Sequence, residues 1–199
     1  MKYGTLYSYW SHEWVCDYPA VAKKVRAAGC DILEVGAPHI AAMADAQLAE
    51  LKAAAEDNGL ILTTNIGPSK DQDLASPDPA IRKNGLDFLT GVLRAMDKIG
   101  SKSLVGAMYS FWPCDFKYTD KEAAWDTSIA EMKKLAAVAE DLGIDLCQEV
   151  LNRFETYIMT NAAEGVEYCK RVDSPRCKVL LDTFHMNIEE DNIPAAIRL

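Results

Sequence analysis

One pattern constrains this chain more than any other. A helix-like segment, a glycine and a short apolar run follow one another again and again. The pattern occurs as Ala28-Gly29-Cys30-Asp31-Ile32-Leu33-Glu34-Val35, as Asn58-Gly59-Leu60-Ile61-Leu62-Thr63, as Ile99-Gly100-Ser101-Lys102-Ser103-Leu104-Val105 and as Leu142-Gly143-Ile144-Asp145-Leu146-Cys147. Each glycine falls where a helix ends on a left-handed residue. The glycines are spaced by 30, 41 and 43 residues, and each interval has room for one strand and one crossover helix. Helical periodicity fills the segments ahead of them: Trp125, Ile129, Met132, Ala136 and Ala139 step by 4, 3, 4 and 3 along one face. Asp17 and Ser76 are suited to capping helices, the latter just ahead of Pro77-Asp78-Pro79. Strands are expected at about 3–9, 31–36, 60–66, 102–109, 144–151 and 178–184, and helices at 18–28, 45–58, 78–99, 121–142, 160–172 and from 192. The strand runs are mostly apolar, as in strands buried on both faces.

Strict alternation of strand and helix means a parallel sheet. No G-x-G pair occurs, so the dinucleotide fingerprint is absent, as is a P-loop. This favours an α/β fold of the (β/α)₈ TIM-barrel type over a doubly wound nucleotide-binding sheet, with residues 1–199 as a single barrel domain. Such barrels take ~250 residues and eight strands. The 199 residues supply only about the first six βα units and stop inside a helix at Ile197-Arg198-Leu199, so the barrel is expected to be incomplete at its C-terminus.

The net charge of −9 argues against a nucleic-acid partner and against docking on an anionic membrane. No apolar run approaches the ~18 residues of a membrane span, and Met1-Lys2-Tyr3-Gly4-Thr5 leads straight into a strand without a signal-peptide core. Six cysteines without a C-x-x-C pair are expected to be the reduced thiols of a cytoplasmic protein.

In a parallel barrel the reactive groups stand at the C-terminal ends of strands. Glu34, Glu149 and Asp182 occupy such ends. Glu149 and Asp182 are separated by one βα unit, so neighbouring strands would aim both carboxylates at the barrel mouth, with His185 three residues beyond Asp182. Carboxylates grouped with a histidine suit a divalent ion that polarises a substrate oxygen. Glu34 reads as structural, His39 as a loop histidine and Glu189-Glu190-Asp191 as a cap on the following helix. His12-Glu13 opens like H-E-x-x-H, but Cys16 stands where the second histidine would be. Aromatic residues gather behind strand ends: Tyr7, Tyr9, Trp10 and Trp14, then Tyr109, Phe111 and Trp112. Such rings can wall a pocket that stacks the C–H faces of a sugar. No basic cluster accompanies them, which favours an unphosphorylated substrate.

Several stretches carry a family resemblance: Tyr7-Ser8-Tyr9-Trp10 with His12-Glu13-Trp14, Ile66-Gly67-Pro68-Ser69 and Tyr109-Ser110-Phe111-Trp112-Pro113. The most specific are Glu149-Val150-Leu151-Asn152-Arg153-Phe154-Glu155 and the run from Leu181 to Asp191, Leu-Asp-Thr-Phe-His-Met-Asn-Ile-Glu-Glu-Asp. On these residues the chain resembles the ketose 3-epimerases of the D-tagatose and D-psicose (D-allulose) 3-epimerase group. The resemblance implies a xylose isomerase-like barrel, a Mn²⁺ or Co²⁺ ion, and reversible inversion at C3 of free ketohexoses such as D-fructose and D-tagatose. It implies that Glu149 is a metal ligand and one of two catalytic bases, and that Asp182 is a metal ligand. By the same resemblance Glu155 and His185 hydrogen-bond the sugar near C1–C2, and Tyr7, Trp14 and Trp112 line the groove. The chemistry needs such groups because a proton beside a ketone is only weakly acidic, and an ion on O2 and O3 stabilises the enediolate. Two carboxylates on opposite faces then remove and return the proton. The family's remaining histidine ligand, second glutamate and a substrate-binding arginine belong to strands seven and eight, beyond these 199 residues. Position 65 holds Asn65 where a small residue is expected. Dimers or tetramers are implied for the longer form. An alternative expectation is a catalytically incomplete barrel with at most weak metal or sugar binding.

Overall fold

The computed structural model describes residues 1–117 and 120–199. Its strands are β1 (Gly4–Leu6), β2 (Ile32–Gly36), β3 (Ile61–Ile66), β4 (Ser103–Gly106), β5 (Asp145–Val150) and β6 (Cys177–Leu181), and they follow chain order in one sheet. The β1–β2, β2–β3 and β5–β6 pairs are parallel, with Gly36 opposite Asn65 and Glu149 opposite Leu180. Eight helices among the described residues connect or flank them: α1 (Tyr18–Ala27), α2 (Ala37–Ala42), α3 (Asp45–Asp57), α4 (Pro79–Ile99), α5 (Lys121–Leu142), α6 (Ala162–Val172), α7 (Thr183–Glu189) and α8 (Ile193–Ala196).

The glycine pattern is the skeleton of this arrangement. Gly29, Gly59, Gly100 and Gly143 follow α1, α3, α4 and α5 with φ of 84°, 62°, 75° and 65°, conformations that side chains other than glycine rarely adopt. α6 stops on Asp173 at φ 58° instead. Asp17 caps α1 by accepting from the Ala20 N–H at 3.0 Å, as its position predicted. Ser76 does not cap α4. That role falls to Asp78, which accepts from the Ala80 N–H at 2.8 Å, while Ser76 Oγ holds the Asp78 N–H at 3.2 Å.

Several boundaries differ from the sequence expectation. β1 ends at Leu6 because residues Tyr7–Trp10 coil into a 3-10 turn. β6 ends at Leu181 because Asp182 caps α7, a helix the apolar run had concealed. His39 lies in α2, not in a loop. The strands are also not buried evenly on both faces. Leu146, Gln148 and Val150 of β5 are buried, whereas Asp145, Cys147 and Glu149 on the other face are only partly covered. The same alternation runs along β3, where Thr63 and Asn65 face the less covered side.

Packing divides the chain into two compact units. The first, residues 1–66 with 91–104, closes over Tyr18, Val25, Leu33, Val35, Ile40 and Leu51, all fully buried. The Tyr18 hydroxyl accepts from the Gly36 N–H at 3.0 Å. The second, residues 67–90 with 105–199, is built around Tyr109 and Tyr168, whose rings lie 6.1 Å apart. Ser128 Oγ sits 2.7 Å from both the Tyr109 carbonyl and the Tyr168 hydroxyl, which pairs those buried polar atoms.

Candidate active site

The second unit gathers most of the sequence-predicted site. Glu149 lies opposite Leu180 on β6, and side chains two apart on a strand share a face, so Asp182 rises on the same face as Glu149. Asp182 then divides its carboxylate between two tasks. Oδ1 caps α7 by accepting from the Phe184 N–H at 2.7 Å, while Oδ2 stands 3.9 Å from His185 Nε2. The cap starts the helix at once, and three residues later His185 returns beside Asp182, 7% exposed. Its Nε2 is 3.6 Å from Glu149 Oε1. The donor atoms of Glu149, Asp182 and His185 all lie within 4.8 Å of one another.

Asn152, to which the sequence reading gave no role, orients this group. A turn carries the chain from β5, with the Asn152 carbonyl accepting from the Glu155 and Thr156 N–H groups at 3.0 and 3.1 Å. The Asn152 Oδ1 accepts from the Phe154 N–H, which fixes its NH₂ toward Glu155 Oε1 and His185 Nδ1, both at 2.8 Å. The Asn152 backbone N–H also points to Nδ1, at 3.2 Å. With two donors on Nδ1, the neutral imidazole carries its proton on Nε2, aimed at the carboxylates. The other Glu155 oxygen accepts from Trp112 Nε1 at 2.7 Å. Trp112 is pinned in turn by its backbone N–H on the Pro68 carbonyl, and a Cβ at Gly67 would meet its ring at 3.0 Å. Arg153 clamps Glu189 through its side chain at 2.9 and 2.8 Å and its backbone N–H at 2.6 Å, tying the β5 turn to α7. That pairing holds the Glu189 carboxyl below its usual range, burial opposing it.

The acidic run therefore does not cap the next helix, as its position predicted. Glu189 is taken by Arg153, Glu190 accepts from the Ala162 N–H at the start of α6, and Asn192 caps α8. Asn-x-x-Glu immediately after a strand was the signal for Asn152: the spacing of a turn that brings an amide onto a carboxylate.

Tyr7 and Trp14 belong to the first unit. Tyr7 is 2% exposed and donates its hydroxyl to the Trp14 carbonyl at 2.7 Å, whereas the Trp14 ring is 79% exposed. Tyr109, grouped by sequence with the pocket aromatics, is wholly buried in the core. Glu34 accepts from Thr63 at 3.1 Å and from Asn65 at 3.5 Å; burial raises its carboxyl above the usual range against those two hydrogen bonds.

A family model for the xylose isomerase-like TIM barrel matches residues 22–199. D-psicose 3-epimerase from Ruminiclostridium cellulolyticum is 49% identical over all 199 residues, which span 68% of that relative. The enzyme of the same name from Agrobacterium fabrum is 46% identical, with 69% of its length spanned. The chain belongs to the D-psicose 3-epimerase family. Crystal structures of the family agree with the fold over the whole chain. D-psicose 3-epimerase from Clostridium cellulolyticum with D-tagatose gives a TM-score of 0.97 at 49% identity, covering 69% of that chain. A D-psicose 3-epimerase in the presence of D-fructose gives 0.96 at 46% identity, again covering 69%. The fold class is thus that of the xylose isomerase-like barrel, and the chain is homologous to carbohydrate 3-epimerases. Among the described residues no helix is long and apolar enough to cross a membrane.

Proposed function

We propose that residues 1–199 form a single barrel domain of a cytoplasmic, metal-dependent ketohexose 3-epimerase in which Glu149 removes or returns the C3 proton. The observation that carries this reading is the convergence of Glu149, Asp182 and His185, held from behind by Asn152. Two carboxylates offer hard oxygen donors suited to Mn²⁺ or Co²⁺. Glu149 and Asp182 would hold the ion. His185 fits a different role, because its Nδ1 is engaged by Asn152 and its Nε2–H is left to donate to a sugar oxygen. A bound ion would supply Lewis acidity that stabilises the charge left by proton removal, lowering that barrier by several kcal/mol.

Glu149 then takes the C3 proton from one face. Glu155, with one lone-pair direction still open on each oxygen, accepts from a sugar hydroxyl while Asn152 and Trp112 keep it aligned. Trp112, 39% exposed, offers a ring face to the sugar's C–H groups, and Tyr7 seats Trp14 by donating its hydroxyl to the Trp14 carbonyl. The relatives crystallised with D-tagatose and D-fructose support a free ketohexose as substrate, and a homo-oligomer is the assembly proposed.

Incubation with D-fructose and Mn²⁺ in D₂O tests the reading. Deuterium at C3 is expected, lost on adding EDTA, restored by Mn²⁺ or Co²⁺, and reduced at least ~100-fold in Glu149→Gln. Exchange unchanged in Glu149→Gln overturns the assigned base. A second reading is metal or sugar binding at the Glu149, Asp182 and His185 cluster without turnover. Mn²⁺ binding that requires Asp182, with no exchange at C3, is its signature.

A further inference from the structure

Away from the carboxylate cluster, two thiols meet where α6 turns into β6. The Cys177 S–H donates to Cys169 Sγ at 3.6 Å. Cys169 is half-buried on the last turns of α6, and Cys177, the first residue of β6, is 7% exposed. Both line an open groove of about 610 Å³ with Val166, Pro175 and Val179. Only the short turn from Asp173 to Arg176 separates helix from strand.

We propose that Cys169 and Cys177 form a reversible oxidation site, at which a hydroperoxide converts the dithiol into a disulfide that ties α6 to the base of β6. Closing the bridge requires the sulfurs to approach by only about 1.5 Å. The hydrogen bond divides the roles. Cys177 donates and Cys169 accepts, which holds the Cys169 thiol below its ordinary range and Cys177 above it. Burial pushes the thiols of Cys16 and Cys147 up to about 11 and raises that of Cys114, so these are poor nucleophiles.

The Cys169 thiolate, facing the groove, attacks one peroxide oxygen. The O–O bond breaks, an S–O bond forms, and the departing hydroxide takes a proton to become water. Cys177 then attacks the Cys169 sulfenic sulfur; the S–S bond forms, the S–O bond breaks, and the thiol proton leaves with the hydroxide as a second water. Two thiols are oxidised and one hydrogen peroxide is reduced to two waters.

The test is a stoichiometric hydrogen peroxide treatment of the reduced full chain, followed by thiol counting in denaturant and peptide mapping. Two of the six thiols are expected to disappear, with the Cys169 and Cys177 peptides linked, and dithiothreitol restores both. In Cys177→Ser, Cys169 should instead accumulate as a sulfenic acid that dimedone traps, while Cys147→Ser leaves the two-thiol loss unchanged. The proposal is overturned if all six thiols survive, if the bridge contains Cys147, or if wild-type Cys169 stops at the dimedone-reactive stage. The wild-type map decides the matter even if the Cys177 variant does not fold. None of these readouts depends on turnover.

Discussion

At the scale of single residues, Asn152 shows how one buried amide can set the chemistry of its neighbours. It is 2% exposed, and its NH₂ holds both Glu155 and the Nδ1 of His185. Asn152→Ala leaves those partners short of a donor at a position that is itself buried. The cost is expected to be about 1–3 kcal/mol in urea unfolding. A purely structural role would stop there. The positioning role adds a spectroscopic consequence: ¹⁵N shifts of the His185 ring should report Nε2 protonation in the wild type and a mixture of tautomers in Asn152→Ala. An unchanged Nε2-protonated ring in the variant would remove Asn152 from the site's machinery. The meeting of Glu149, Asp182 and His185 was legible in the sequence because strand ends announce themselves by position, whereas Glu155 and Trp112 entered through the family motifs. Asn152 acts through other side chains: the Asn-x-x-Glu spacing signals the turn, and the tertiary contact with His185 reveals what the amide does there.

Elements were read well where one residue type settles the backbone and poorly where a side chain does. Glycine at φ near 60–85° ends four helices, and the sequence pattern located all four. α7 was missed because the feature that starts it, a carboxylate turned back on the Phe184 N–H, looks in sequence like the end of an apolar strand. Two other glycines make a sharper statement about element packing. A Cβ at Gly165 in α6 would stand 2.7 Å from Val150 Cγ2 and 3.1 Å from Val179 Cγ1, so α6 rests directly on β5 and β6. At Gly91 in α4, which is exposed, a Cβ would meet nothing within 4 Å. The same substitution should therefore have opposite signs. Gly165→Ala is expected to destabilise by about 1–3 kcal/mol through overpacking. Gly91→Ala is expected to stabilise by roughly 0.5–1 kcal/mol by relieving the entropy cost of glycine in a helix. Urea midpoints for the two variants read the difference directly, and two shifts in the same direction would contradict this account of the α6 contact.

Across the whole molecule, two carboxylates bend the pH dependence of stability in opposite directions, one in each compact unit. Glu34 titrates above its ordinary 4.5 when folded, because burial disfavours its charge. The folded state therefore binds more protons than the unfolded state above pH 4.5, and stability falls as pH rises through the folded value. Glu189 titrates below 4.5 when folded, because Arg153 stabilises its charge; its contribution is fully present above 4.5 and is lost as pH falls through the folded value. Glu34→Gln should thus gain stability over the wild type only above about pH 4.5, and the gain should level off once the pH passes the folded value. Glu189→Gln should lose stability over that same range, the loss closing as the solution is acidified. Neither slope could be read from sequence. Both glutamates sit in strand-end or acidic-run contexts, yet one faces Thr63 and Asn65 in a covered position and the other an arginine from the neighbouring turn. Urea unfolding of the three proteins from pH 3 to 8 separates the terms, since each variant flattens one component and leaves the other. If both variants kept the wild-type pH profile, the burial of Glu34 and the Arg153 clamp would lose their energetic meaning.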